Sequence, residues 1–108
     1  MKVFEFVPKG VENCKVTAWL HNNQRMHPAI IICPGGRYRS VSERGAEPVA
    51  KPYFAAGYHT FILDYAVNEN GKGFYLLCQL ASAVACVRKY AEEWFVEKEK
   101  IFDQMQWS

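Results

Sequence analysis

The chain has 108 residues, enough for one small domain with a single core and too few for two. Half of the residues are hydrophobic and 15% are aromatic, a composition that excludes a disordered tail. Lys and Arg number 13 against 11 Asp and Glu, and the formal charge of +2 is scattered along the chain, so no nucleic-acid partner is expected.

Met1-Lys2-Val3-Phe4-Glu5 has no long apolar run behind its charge, and no stretch approaches the length of a membrane span. The expected address is therefore the cytoplasm, with no membrane partner. Cys14, Cys33, Cys78 and Cys86 lie inside apolar patterns without C-x-x-C spacing, which points to reduced structural thiols rather than disulfides or a metal site.

In chain order, Lys2 to Val7 alternates polar and apolar residues and closes at Pro8-Lys9-Gly10, and Lys15 to Leu20 is a second β-rich run closing at His21-Asn22-Asn23. Two antiparallel opening strands are expected. Ala29-Ile30-Ile31-Ile32-Cys33 is continuously apolar, as a strand covered on both faces requires. From Pro34 to Gly45 glycine, serine and charge take over. Helical spacing returns over Ala46 to Ala56 and stops at Gly57. Tyr58 to Tyr65 then reads as a strand, completing a right-handed βαβ unit with parallel pairing.

After the polar turn Asn68 to Gly73, apolar residues at Leu77, Leu80, Val84, Val87, Ala91 and Trp94 draw one helical stripe. Glu97-Lys98-Glu99-Lys100 alternates in sign and reads as a solvated helix end or loop. Ile101 to Ser108 offers two apolar residues and a polar cluster, a poor candidate for a buried central strand. The whole is one domain, residues 1–108, without repeats or a linker.

The chemistry-bearing feature is Pro34-Gly35-Gly36-Arg37-Tyr38, which leaves the carboxyl end of the apolar strand, where α/β folds place ligand sites. Adjacent glycines can turn two amide N–H groups toward one point, as an oxyanion hole needs, although Gly-Gly alone also fits an ordinary turn. The series from His27 through Cys33-Pro34-Gly35-Gly36 and Tyr38, Ser42-Glu43-Arg44, Ala46-Glu47-Pro48-Val49-Ala50, Ala55-Ala56-Gly57-Tyr58 and Leu63-Asp64-Tyr65 resembles the acetyl-xylan-esterase and lipase-like branch of the α/β hydrolases. The similarity continues through Gln79 to Val84 and Ala91 to Trp94, and so spans about residues 15 to 101.

The resemblance implies an α/β fold, specifically the truncated N-terminal half of an α/β-hydrolase: two antiparallel opening strands, a βαβ unit and a long helix on a mostly parallel, three-layer sheet. It implies that Gly35 and Gly36 are oxyanion-hole donors and that Pro34, Arg37 and Tyr38 line the pocket. The substrate of the complete family would be a small acyl ester or an acetylated sugar, with no cofactor and no metal.

A strand leading to a G-x-S-x-G elbow should come after the long helix, followed by the acid and the histidine of the triad. Ser108 has Trp107 before it and no flanking glycine, so it reads as a chance serine and no catalytic residue is assigned. Ser40 and Ser42 read as loop hydrogen-bonding residues and Asp64 as a structural strand-end carboxylate. His21, His27 and His59 precede the elbow position and read as surface or packing residues.

Three departures from the family pattern stand out: Arg37 where a third glycine is usual, Pro52 inside the first helix, and Phe95 where glycine ends the long helix. The expectation is a truncated ester-hydrolase relative, inactive alone, with an exposed sheet edge that promotes self-association. The alternatives are a small non-catalytic binding domain on the same scaffold, or half of a split esterase.

Overall fold

The computed structural model describes residues 1–8, 14–33, 47–64 and 73–105. Along them run β1 (Lys2–Phe6), β2 (Lys15–Leu20), β3 (His27–Cys33), α1 (Glu47–Ala55), β4 (His59–Asp64), α2 (Gly73–Lys89), α3 (Ala91–Trp94) and β5 (Val96–Met105). The sheet order is β1-β2-β4-β3-β5. β1 and β2 are antiparallel, as are β2 and β4, whereas β3 runs parallel to both β4 and β5. The opening hairpin and the parallel βαβ unit are those the sequence pattern requires.

The continuous apolar run of β3 is explained by what covers it. Ala29, Ile31 and Cys33 join Phe61, Leu63, Leu80, Ala83 and Val87 in a core beneath α2 and α3. Ile30 and Ile32 turn the other way and pack with Ile62, Trp19 and Ala50 beneath α1. Successive strand residues point to opposite faces, so a strand between two helical layers must be apolar at every position. Phe61, Ile31 and Ile32 are among the largest fully buried side chains, each contributing roughly 1.5–3 kcal/mol from burial.

The expected helix ends are present. Gly57 stops α1 at φ 104, a conformation that costs an L side chain energy and glycine little. Pro52 lies inside α1. The single stripe expected from Leu77 to Trp94 is divided, because α2 stops at Lys89 and the short α3 follows Tyr90. Phe95 then occupies a left-handed position, φ 59 and ψ 44, at the C-cap of α3, the conformation in which glycine normally ends a helix. Phe95 makes this turn although its side chain disfavours the conformation.

The end of the described chain corrects the sequence reading. Glu97 to Lys100 is not a helix end, and Ile101 onward is not irregular: both belong to β5, which pairs with β3. Val96 faces His27 and Ile101 faces Ala29, so the strand bulges between them, and Lys98, Glu99 and Lys100 stay exposed. Ile101 packs against the α2-side core while Asp103 remains exposed. Among the described strands β5 lies at the sheet edge, where an apolar residue is needed only at inward positions, so a pattern too polar for a central strand suffices.

No described helix is long and apolar enough to cross a membrane.

Candidate functional site

The parallel strands fix where a site can form. β3, β4 and β5 all point the same way, ending at Cys33, Asp64 and Met105. Cys33 and Met105 are register partners, so β3 and β5 end side by side. Ligand sites in open α/β sheets form outside such carboxyl ends.

The residues assigned from sequence, Pro34, Gly35, Gly36, Arg37 and Tyr38, lie outside the described residues, as do Ser40, Ser42 and Ser108. What the structure supplies is the frame. Cys33 is buried, and its thiol is pushed up to about 12 by burial first, then by the Asp103 carboxylate and by Cys14. It is a structural thiol at the base of the loop, held in its protonated form at neutral pH. Cys86 is also a free thiol.

Three polar residues at this end were not singled out by sequence. Tyr53 of α1 donates its hydroxyl to Gln104 Oε1 across 3.0 Å, joining the helix after the loop to the last turn of β5. Gln79 of α2 is 1% exposed, and neither its Oε1 nor its Nε2 has a hydrogen-bond partner among the described residues. α2 runs against the strands, since the turn after it brings Phe95 to the starts of β3 and β4. At 1.5 Å per residue, the ten residues from Gln79 to Lys89 place Gln79 about 15 Å back toward the carboxyl ends. Alternation over Ile101 to Met105 could have revealed Gln104. Gln79 sits on the helical stripe next to Leu80 and carried no sequence signal of its own.

The three histidines gather at the opposite end of the sheet. His27 and His59 begin β3 and β4, and His21 follows β2. Their rings lie 4.5 Å (His21 to His27), 4.7 Å (His27 to His59) and 5.6 Å (His21 to His59) apart. They are packing residues, as expected, and far along the strands from Cys33. No group of His, Cys, Asp and Glu that could hold a metal occurs among the described residues.

No family model and no curated protein matches the chain. Solved structures do. A Lactobacillus plantarum protein assigned as a carboxylesterase is 29% identical, with a TM-score of 0.84 over 97% of this chain and 42% of its own. An α/β hydrolase from a Medee basin deep-sea metagenome is 28% identical, with a TM-score of 0.82 over 95% of this chain and 45% of its own. A sugar hydrolase from Lactococcus lactis is 28% identical, with a TM-score of 0.76 over 96% of this chain and 42% of its own. The chain thus has the fold of the N-terminal part of an α/β hydrolase, is similar to carboxylesterases, and spans less than half the length of the structures it matches.

Proposed function

We propose that the chain carries the oxyanion-hole side of a carboxylic-ester hydrolase site. The observation that supports this reading most directly is the Cys33 to Met105 register, by which β3 and β5 end next to each other. An α/β-hydrolase site has that layout: a loop donating amides after one strand, and a nucleophile at a tight turn after its neighbour. In this reading Gly35 and Gly36 donate to the oxyanion, Pro34, Arg37 and Tyr38 wall the acyl pocket, and the substrate is a short acyl ester or an acetylated sugar.

The presence of β5 favours a second reading of one residue. Ser108 stands three positions after Met105, the distance at which a G-x-S turn places its serine, with Gln106 in the first glycine's place. Ser108 is then the nucleophile of a longer polypeptide. The 108 residues hold no histidine after His59, so the base comes from outside them.

Hydrolysis of p-nitrophenyl acetate tests both statements. The 108-residue chain alone should show none above background, and the polypeptide extended by its downstream coding sequence should show it. Gly36→Pro, which removes one amide donor, should lower kcat of the extended protein by about 10²–10³. Ser108→Ala should abolish it. Activity of the extended protein that survives Ser108→Ala but falls with Gly36→Pro would retain the oxyanion assignment and remove the serine. Unchanged activity in both variants would remove both assignments.

A further inference from the structure

The histidine cluster ties four chain junctions at the amino ends of the strands. The His21 backbone N–H donates to His59 Nδ1 across 3.1 Å, and His59 Nε2–H donates to the Phe95 carbonyl across 3.1 Å. His21 Nε2 bonds the Tyr58 carbonyl at 3.1 Å, and His27 Nδ1 bonds the Gly57 carbonyl at 2.7 Å. The exit of β2, the starts of β3 and β4, and the α3 to β5 turn therefore meet on these rings. Phe95 also accepts the His27 backbone N–H at 2.9 Å.

This arrangement specifies one state of His59. An imidazole that accepts at Nδ1 and donates at Nε2 is neutral, and a proton added at Nδ1 would face the His21 N–H donor directly. His59 is wholly buried. The groups facing it are His21 from the β2 exit, His27 from β3 and the Phe95 carbonyl from the α3 to β5 turn. Lys2 and Glu93 border the cavity that His21 lines, and no described carboxylate forms an ion pair with any of the three rings. A positive charge on His59 would have two imidazoles as neighbours and no anion.

We infer that the His21, His27 and His59 cluster is an acid-sensitive latch on the β2 exit, closed while His59 is neutral and opened when a proton at Nδ1 displaces the His21 N–H, the Nε2–H bond to the Phe95 carbonyl being retained. Burial, then His27 and then His21, hold the His59 pKa down to about 4, and His21 is lowered by burial first and His27 second. Both shifts have the sign the geometry requires. The folded pKa of His59 lies below that of a free imidazole, so the latch contributes fully above about pH 6.5 and its contribution is lost as pH falls toward 4.

A pH titration of the 108-residue chain by ¹⁵N NMR is the test. At pH 7 His59 should show the Nε2–H tautomer. On acidification the His21 amide should lose its bonded shift, with a midpoint well below that of a free imidazole, while the Val96 amide next to Phe95 should move far less. His27→Gln removes one neighbouring imidazole and should raise that midpoint. His59→Gln, which cannot charge, should abolish the transition. His59 titrating near pH 6.5 while the His21 amide stays still would overturn the latch, as would a His21 transition that persists in His59→Gln. Should His59→Gln not fold, the wild-type tautomer and the His27→Gln shift still decide.

Discussion

Tyr53 and Gln104 meet across the α1 face of the sheet, hydroxyl to amide oxygen at 3.0 Å, in a bond that ties α1 to the end of β5. Both side chains are half-buried, so removing the hydroxyl leaves Gln104 within reach of water. Tyr53→Phe should cost about 1 kcal/mol, the net value of one such bond. Tyr53→Ala also loses the edge-on contact with Tyr58, centroids 5.8 Å apart, and should cost more. Urea unfolding of the two variants checks this: the Phe variant should shift the midpoint downward without changing the slope.

Gln79 makes the opposite prediction. Its amide is buried with no hydrogen-bond partner among the described residues, so within them the desolvation of two polar atoms has no compensating bond. Replacing it with Met, similar in length and unbranched, removes that penalty and retains the volume. Gln79→Met should therefore stabilise the chain by about 1–3 kcal/mol. A thermal melt reads the sign, and a lower Tm would show that the amide is satisfied in solution.

The contrast between these two residues shows what the sequence could reveal. Strands buried on both faces declare themselves, because every position of Ala29 to Cys33 must be apolar, and Gly57 declares a helix end because its φ of 104 suits glycine. β5 did not declare itself. As an edge strand with a bulge it needs few apolar residues, and its charges resemble a loop. Phe95 concealed a helix stop by adopting a conformation its residue type disfavours. The glycine motif lies outside the described residues, whereas Tyr53 to Gln104 joins residues 51 positions apart and follows only from the sheet register.

Gly57 offers a clean measure of backbone conformation. A Cβ placed there would have nothing within 4 Å, so Gly57→Ala introduces no clash, and its effect is the left-handed φ alone. The expected cost is about 1–2 kcal/mol. Because the Gly57 carbonyl accepts from His27, a larger loss would mean that the turn moves and takes the histidine bond with it. Comparing Gly57→Ala with Gly57→Ala in a His27→Gln background by chemical denaturation separates the two, since the strain should be the same in both and a coupled loss should not.

Cys33 tests whether the loop's own strand could supply a nucleophile. The residue is the last of β3, immediately before Pro34. Its surroundings oppose that role: burial is the main cause and the Asp103 carboxylate the next, and together with Cys14 they raise the pKa to about 12. At pH 8 the thiolate fraction is then about 1 in 10⁴, and the sulfur is covered as well. Iodoacetamide applied to the native chain at pH 8 should label the half-buried Cys86 well ahead of Cys33, and denaturation in urea should make all four cysteines reactive. Peptide mass spectrometry after brief labelling reads the order. Cys33 modified as fast as Cys86 would mean that its thiolate is accessible beside the glycine loop, and the hydrolase site would then need to be reconsidered with sulfur as its nucleophile.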